Sequence, residues 1–224
     1  TVFIDSLLDE SILIATCIGA PGVGKTLIAL AYALQQLKDN DRKIILTKST
    51  RLIGNSKAFG AVPGGIREKI APFLTSYEIV FSKILGSNAY SYMSILENKR
   101  DLEFIPIEYM RGCTFEGCTL VLDEAQNLGI HELISIITRM GDESKLVILG
   151  DLSQIDTGQR SEETGLFKIL NTQAWNNSEL TSHIELTTSY RSPLSQLMLD
   201  ITKEIQDNEG ESRTNNRNYR TFSK

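Results

Sequence analysis

The octapeptide Gly19-Ala20-Pro21-Gly22-Val23-Gly24-Lys25-Thr26 has the spacing G-x-x-x-x-G-K-[ST] and lies between an apolar run, Ile12 to Ile18, and a helical pattern, Leu27 to Leu37. It restricts the fold more than any other feature, because a strand, a tight glycine turn and a helix start must follow one another within a few residues. Glycines let successive backbone N–H groups turn inward, and a helix beginning near Gly24 directs its positive end at the same point. Such a cradle suits a nucleoside triphosphate. Gly19 to Thr26 wrap the phosphates, Lys25 reaches the β/γ oxygens, and Thr26 offers a hydroxyl to Mg²⁺. The alternative is a glycine-rich strand-to-helix turn that holds nothing.

A partner motif decides between the two. Thr119-Leu120-Val121-Leu122-Asp123-Glu124-Ala125-Gln126 is an apolar strand ending in two carboxylates. Beside a phosphate loop, Asp123 orients Mg²⁺, usually through its water shell, and Glu124 polarises the attacking water. Adjacent acids at a strand end argue for hydrolysis as well as binding. Without the phosphate loop they would read as an acidic N-cap for the helix that follows. A third segment, Leu146 to Asp156, is another buried-type strand followed by Gly150, Asp151 and Gln154. If the sheet takes the order usual in RecA-like cores, this strand lies between those carrying Lys25 and Asp123, which points Gln154 at the γ-phosphate. A neutral amide suits a sensor there, since it bonds a phosphate oxygen or the attacking water without adding negative charge. Alone, Gly-Asp would mark only a turn.

Around these motifs, β-type runs (Ile12–Ile18, Lys43–Thr47, Phe104–Ile107, Thr119–Leu122, Leu146–Leu149, Ile184–Leu186) alternate with helical stretches (Leu27–Leu37, Ile66–Leu74, Glu78–Leu85, His131–Met140, Thr164–Leu170, Leu194–Ile205). The alternation predicts an α/β fold, a RecA-like P-loop NTPase core with a mostly parallel sheet and helices on both faces. Ligands of such sheets lie at the carboxyl ends of the strands, where both phosphate-site motifs fall. Arg51 to Pro63 reads as a long loop, and Gly86 to Asp101 as a polar excursion around a short helix. After Ile205 almost nothing is apolar, so 1–205 read as one ATPase domain and 206–224 as a mobile polar tail. The chain opens on Thr1, not methionine, and reads as a piece of a longer protein.

Composition closes off several other classes. A chain of 224 residues, 41% hydrophobic, supports one sizeable core. It has no apolar run long enough to span a bilayer and no leader, which predicts a cytoplasmic protein with no membrane contact. Cys17, Cys113 and Cys118 do not make a disulfide framework, and the C-x4-C pair with only His131 and His183 elsewhere does not make a zinc site. A net charge of −5 gives no global attraction to nucleic acid, so any such contact rests on a local basic surface.

Taken in order, the phosphate loop, D-E-A-Q-N, Thr138-Arg139-Met140-Gly141, G-D-x-x-Q-I-D and Arg191-Ser192-Pro193-Leu194 resemble the ATPase domain of PhoH-like proteins, the phosphate-starvation-inducible family related to superfamily-1 helicases. Local matches such as Lys43 to Thr47, Glu68 to Pro72 and Tyr109 to Gly112 extend the likeness from about Phe3 to Ile205. It is most similar to the C-terminal half of PIN–PhoH proteins, where an upstream PIN nuclease domain precedes the ATPase. The resemblance implies ATP and Mg²⁺ as cofactors, and RNA or single-stranded nucleic acid as the partner of a helicase-like hydrolase. A nucleotide-controlled module that governs an upstream PIN-type domain without unwinding is the alternative. Where the family has Thr-Arg-Pro, this chain has Thr47-Lys48-Ser49, which keeps charge but loses the bidentate guanidinium. The adenine-reading segment of the family falls upstream of Thr1, so the base comes from the resemblance. No PIN-type acidic cluster is present to assign a nuclease.

Charge building on the transferred phosphoryl needs a cation, often an arginine given in cis or by a neighbour. Arg191, in Tyr190-Arg191-Ser192, resembles the helicase arginine that contacts the γ-phosphate. Too little chain follows it for a second core, which predicts a homo-oligomer, a ring or dimer, whose neighbour completes the site. Arg139 is the second candidate, its other reading being a contact with its helix's C-terminal dipole. Lys48, Arg51, Lys57, Phe59 and Arg111 are the candidates for nucleic-acid contact, as loop cations with one aromatic able to stack on a base.

Overall fold

Strands whose residues alternate between two greasy faces need cover on both sides, and the chain supplies it. The computed structural model describes residues 2–48, 66–110, 112–155 and 160–187, with side chains from 74 onward in the second stretch. Arg51, Lys57, Phe59, Arg111, Arg191, the helix expected at Leu194–Ile205 and the tail 206–224 lie outside the described residues.

Six strands form one sheet: β1 (Ile14–Gly19), β2 (Lys43–Lys48), β3 (Leu102–Phe104), β4 (Cys118–Asp123), β5 (Lys145–Gly150) and β6 (Thr181–Leu186). Their order is β3-β2-β4-β5-β1-β6, and every pairing is parallel. The helices are α1 (Val2–Leu8), α2 (Lys25–Asn40), α3 (Ile66–Leu85), α4 (Ala89–Lys99), α5 (Ile130–Ile137), α6 (Gly165–Leu170) and α7 (Gln173–Asn176).

The two-residue period of the strands divides the core. Ala15, Cys17, Ile44, Leu46, Val121, Val147 and Leu149 face a cluster with Phe3 and Leu7 of α1, Leu30 and Ala33 of α2, Phe81 of α3 and Met93 of α4. Ile18, Ile45, Leu120, Leu122, Leu146 and Ile148 face Leu133 and Ile136 of α5 and Leu166 and Leu170 of α6. Helices thus cover both faces, as expected of a parallel sheet.

The elements α1, α3, β3 and α7 depart from the sequence reading. One helix, α3, runs through the gap left between Leu74 and Glu78, because Tyr77 and Phe81, four apart on one face, are both fully buried. The third strand ends at Phe104, two residues before Pro106, whose missing N–H cannot join a ladder. The short helix expected in the excursion after Gly86 is α4, eleven residues anchored by Ala89, Met93 and Leu96, whereas the four-residue α7 was not expected. An unforeseen helix, α1, opens the chain. Its C-terminal carbonyls are held by a buried cation, since Lys145 Nζ donates to Leu7 O and to Asp9 O at 2.8 Å. No helix among the described residues is long and apolar enough to cross a membrane.

Candidate active site

β5 pairs with β1 on one side and with β4 on the other, the register setting Ile18 beside Gly150 and Leu122 beside Ile148. The three motif-bearing strands are therefore neighbours, and their carboxyl ends leave the sheet at one edge. The phosphate loop follows β1, the acidic pair closes β4, and Asp151 to Gln154 follow β5.

The loop's shape is imposed by its glycines. Gly19 has φ +152°, and a Cβ on it would stand 2.3 Å from Leu186 O at the end of β6. Gly24 is the N-cap of α2 in the left-handed region, at φ 95° and ψ 9°, so it needs glycine for its backbone alone. Val23 is buried and anchors the loop from below. Lys25 is the first residue of α2, and its Nζ donates to the carbonyls of Gly19 and Ala20, so the cation already lies across the concave side of its own loop. Thr26 Oγ1 donates to Asp123 Oδ2 at 3.3 Å. A hydroxyl and a carboxylate so paired are the oxygen donors Mg²⁺ takes, with phosphate oxygens and water filling the rest of its shell.

Asp123 carries the main electrostatic cost of the site. Enclosure and then the neighbouring Glu124 charge push its carboxyl up to about 6, opposed by Lys48, the Glu124 N–H and Lys25. Lys48, expected at nucleic acid, stands directly opposite Asp123 in the β2–β4 register. It belongs to the surroundings of the carboxylate.

Glu124 has φ 55° and ψ 38°. A left-handed backbone at a non-glycine residue costs of order 1 kcal/mol and persists only where its surroundings hold it. Asp123 Oδ1 accepts the Glu124 N–H at 3.0 Å, and Gln126 Nε2 donates to Glu124 Oε2 at 2.7 Å. The acidic pair does not cap α5. A single 3-10 turn, Ala125–Asn127, follows it, and the first turn of α5 is closed instead by Glu132 Oε2 accepting the Gly129 N–H at 2.8 Å.

Asp151 is buried, and its Oδ1 accepts from Ser153 N at 2.9 Å and Ser153 Oγ at 2.6 Å, a turn of the Asp type. Gln154 is exposed, and its carbonyl accepts from Gln126 Nε2 at 2.9 Å. Arg139 is brought to the wrong end. Its Nη1 donates to Cys113 O at 3.2 Å, and Phe115 N donates to Arg139 O, on the segment that enters β4 from its amino end. Since α5 returns the chain from the carboxyl edge to the amino edge, Arg139 cannot serve the phosphate site of its own chain. Its side chain is bonded to Cys113 O and not to the last carbonyls of α5, whose final turn, ending at Ile137, holds no basic residue.

Two residues of the site carried no assignment from sequence. Gln126 was visible as the fourth letter of D-E-A-Q, but its partners lie 25 and 28 residues away. Tyr77 of α3 is fully buried, its hydroxyl has no hydrogen-bond partner among the described residues, and burial and the charges of Asp123 and Glu124 hold it well above its ordinary range.

A parallel α/β sheet in this order, with a phosphate loop after β1 and an acid pair after β4, is the RecA-like fold of the P-loop NTPases. Within that class it belongs to the PhoH family, whose model, described as PhoH-like protein, matches residues 1–203. It is 37% identical over 140 residues to the PhoH-like protein of Bacillus subtilis (strain 168), covering 62% of this chain and 42% of that one. It is 31% identical over 208 residues to Protein PhoH2 of the same organism, covering 90% and 46%. With Protein PhoH of Escherichia coli (strain K12) it shares 34% over 156 residues, 69% and 42%. The chain spans less than half the length of these relatives. Among solved structures, the Pif1 helicase of Candida albicans matches with a TM-score of 0.42 and 18% identity over 88% of this chain and 40% of that one.

Proposed function

We propose that this domain binds ATP with Mg²⁺ and hydrolyses it, that hydrolysis is coupled to RNA or single-stranded nucleic acid, and that the working form is a homo-oligomer. The observation that carries the reading is the meeting of Thr26 with Asp123 at 3.3 Å, with Glu124 held beside them in a left-handed backbone. Thr26 and Asp123 would hold Mg²⁺, which neutralises charge on the β- and γ-phosphates. Lys25 leaves its two loop carbonyls to bind the same oxygens, the α2 N-terminus adds its partial positive charge, and Glu124 takes a proton from the attacking water. Gln154 reads the γ-phosphate. Arg191 of a neighbouring subunit is the cation proposed to answer charge developing on the transferred group, since Arg139 is committed to the opposite edge.

The nucleic-acid part rests on the family resemblance and the loop cations. Phosphate release from ATP, measured with and without single-stranded RNA and DNA at low salt, tests it. The expected result is Mg²⁺-dependent turnover that rises several-fold with one of the polymers. Turnover indifferent to both would leave an ATPase that controls a partner instead of acting on a strand.

A further inference from the structure

Gln126 holds hydrogen bonds in three directions from a side chain that is 1% exposed. Its Nε2 donates to Glu124 Oε2 at 2.7 Å and to Gln154 O at 2.9 Å, and its Oε1 accepts from Asp151 N at 3.0 Å. The orientation of the amide is forced. A carboxylate and a carbonyl only accept and a backbone N–H only donates, so exchanging the nitrogen and oxygen would break all three bonds. These partners belong to two separate segments, Glu124 just after β4, Asp151 and Gln154 just after β5. Gly150 leaves room for Leu166 beside this joint, since a Cβ there would stand 2.6 Å from Leu166 Cδ2 but in ordinary contact, 3.4 Å, with Gln126 Oε1.

We infer that Gln126 is a positioning residue that joins Glu124 to the loop after β5, so that the carboxylate aimed at the attacking water and the loop aimed at the γ-phosphate move as one unit. The inference deepens the hydrolytic reading above and rests on it. An ionised carboxylate has about four lone-pair positions, so one bond from Gln126 sets its direction and leaves others for the proton of water. A shift of the loop on meeting a phosphate is passed to Glu124 through a single rigid amide, and the reverse holds equally.

The test has two arms, both on the full chain. In the first, amide hydrogen exchange is followed without nucleotide. Gln126→Leu should speed exchange at Asp151 about tenfold or more, because the side-chain acceptor that holds that N–H at 3.0 Å is gone. Glu124→Ala should also speed it, although Glu124 does not touch Asp151. Gln126→Glu, equal in shape, keeps an acceptor for Asp151 but sets an anion against Glu124, and covers the case in which the leucine variant fails to fold. In the second arm, Gln126→Glu should lower kcat for ATP about a hundredfold, the scale of a misplaced catalytic group, with KM within about threefold. In a Glu124→Gln background the same substitution should cost nothing further, because the group it positions is already lost. Asp151 exchange unchanged in both Gln126→Leu and Glu124→Ala overturns the joint, as does an equal loss of kcat in both backgrounds. A wild-type chain without ATP turnover contradicts the hydrolytic reading instead, and the exchange arm still judges the joint.

Discussion

Asp123 shows what one residue costs for the sake of its site. Its carboxyl titrates near 6 in the fold against an ordinary 3.8, so the folded chain holds a proton that the unfolded chain has already released between those values. The stabilisation from that protonation is full below the ordinary value and is lost as pH rises through 6. At neutral pH without metal, Asp123→Asn should therefore be more stable than wild type by on the order of 3 kcal/mol, an advantage that shrinks toward pH 4. Urea midpoints of both proteins across that range check it, and parallel curves would contradict it. Tyr77→Phe removes a buried hydroxyl that has no partner among the described residues, and should leave the midpoint unchanged or raised. Lys25→Ala should abolish triphosphate binding, read by titration with a fluorescent ATP analogue, because no other loop side chain brings a cation to the β/γ oxygens. At this scale the sequence was legible wherever a task is local, as in Lys25, Thr26, Asp123 and Glu124. It was not legible where the task needs a distant partner: Gln126 and Tyr77 meet the site only through the folded sheet, and Lys48 is drawn to Asp123 by strand register.

At the scale of elements, two contacts set how the helices sit on the sheet. Lys145, 1% exposed at the amino end of β5, gives its ammonium protons to α1 and lies 5.5 Å from the Tyr32 ring centroid. Lys145→Met keeps the stem but strands the α1 carbonyls, with an expected loss of about 1–3 kcal/mol and no change in nucleotide affinity, since the phosphate site is at the other end of the strand. Loss of ATP binding in a folded Lys145→Met chain would show that α1 and the site are coupled. Gly165 opens α6 where a Cβ would be 2.6 Å from both Gly129 C and Ile130 N. Gly165→Ala should drive α6 from α5 and lower stability by about 1–3 kcal/mol, and a wild-type urea midpoint would mean the pair can slide apart freely. Strand periodicity and the helix after the phosphate loop were readable because their burial repeats. α1 was not, being seven residues whose pattern reduces to Phe3 and Leu7 and whose last turn depends on a lysine 138 residues away. α3 was read as two helices because its polar Thr75 and Ser76 hide a stripe that Tyr77 and Phe81 continue.

For the whole molecule, the order β4-β5-β1 is what converts three sequence motifs into one site; the motifs alone do not set it, and it was expected only on taking the order usual in RecA-like cores. The proposed oligomer is judged by complementation between chains. If Arg191 acts across a subunit boundary, mixing Arg191→Ala chains with Glu124→Gln chains should restore part of the activity, since some interfaces then pair an intact arginine with an intact carboxylate. A mixture no more active than its components, despite proven subunit exchange, would leave action in cis or another group. Phosphate release from ATP under Mg²⁺, in wild type and Glu124→Gln each first shown to bind ATP, decides whether Glu124 activates the water that attacks a triphosphate held by the loop and Asp123. Binding should be equal and turnover about a hundredfold or more lower in the variant; equal turnover in the two proteins would rule out that role for Glu124.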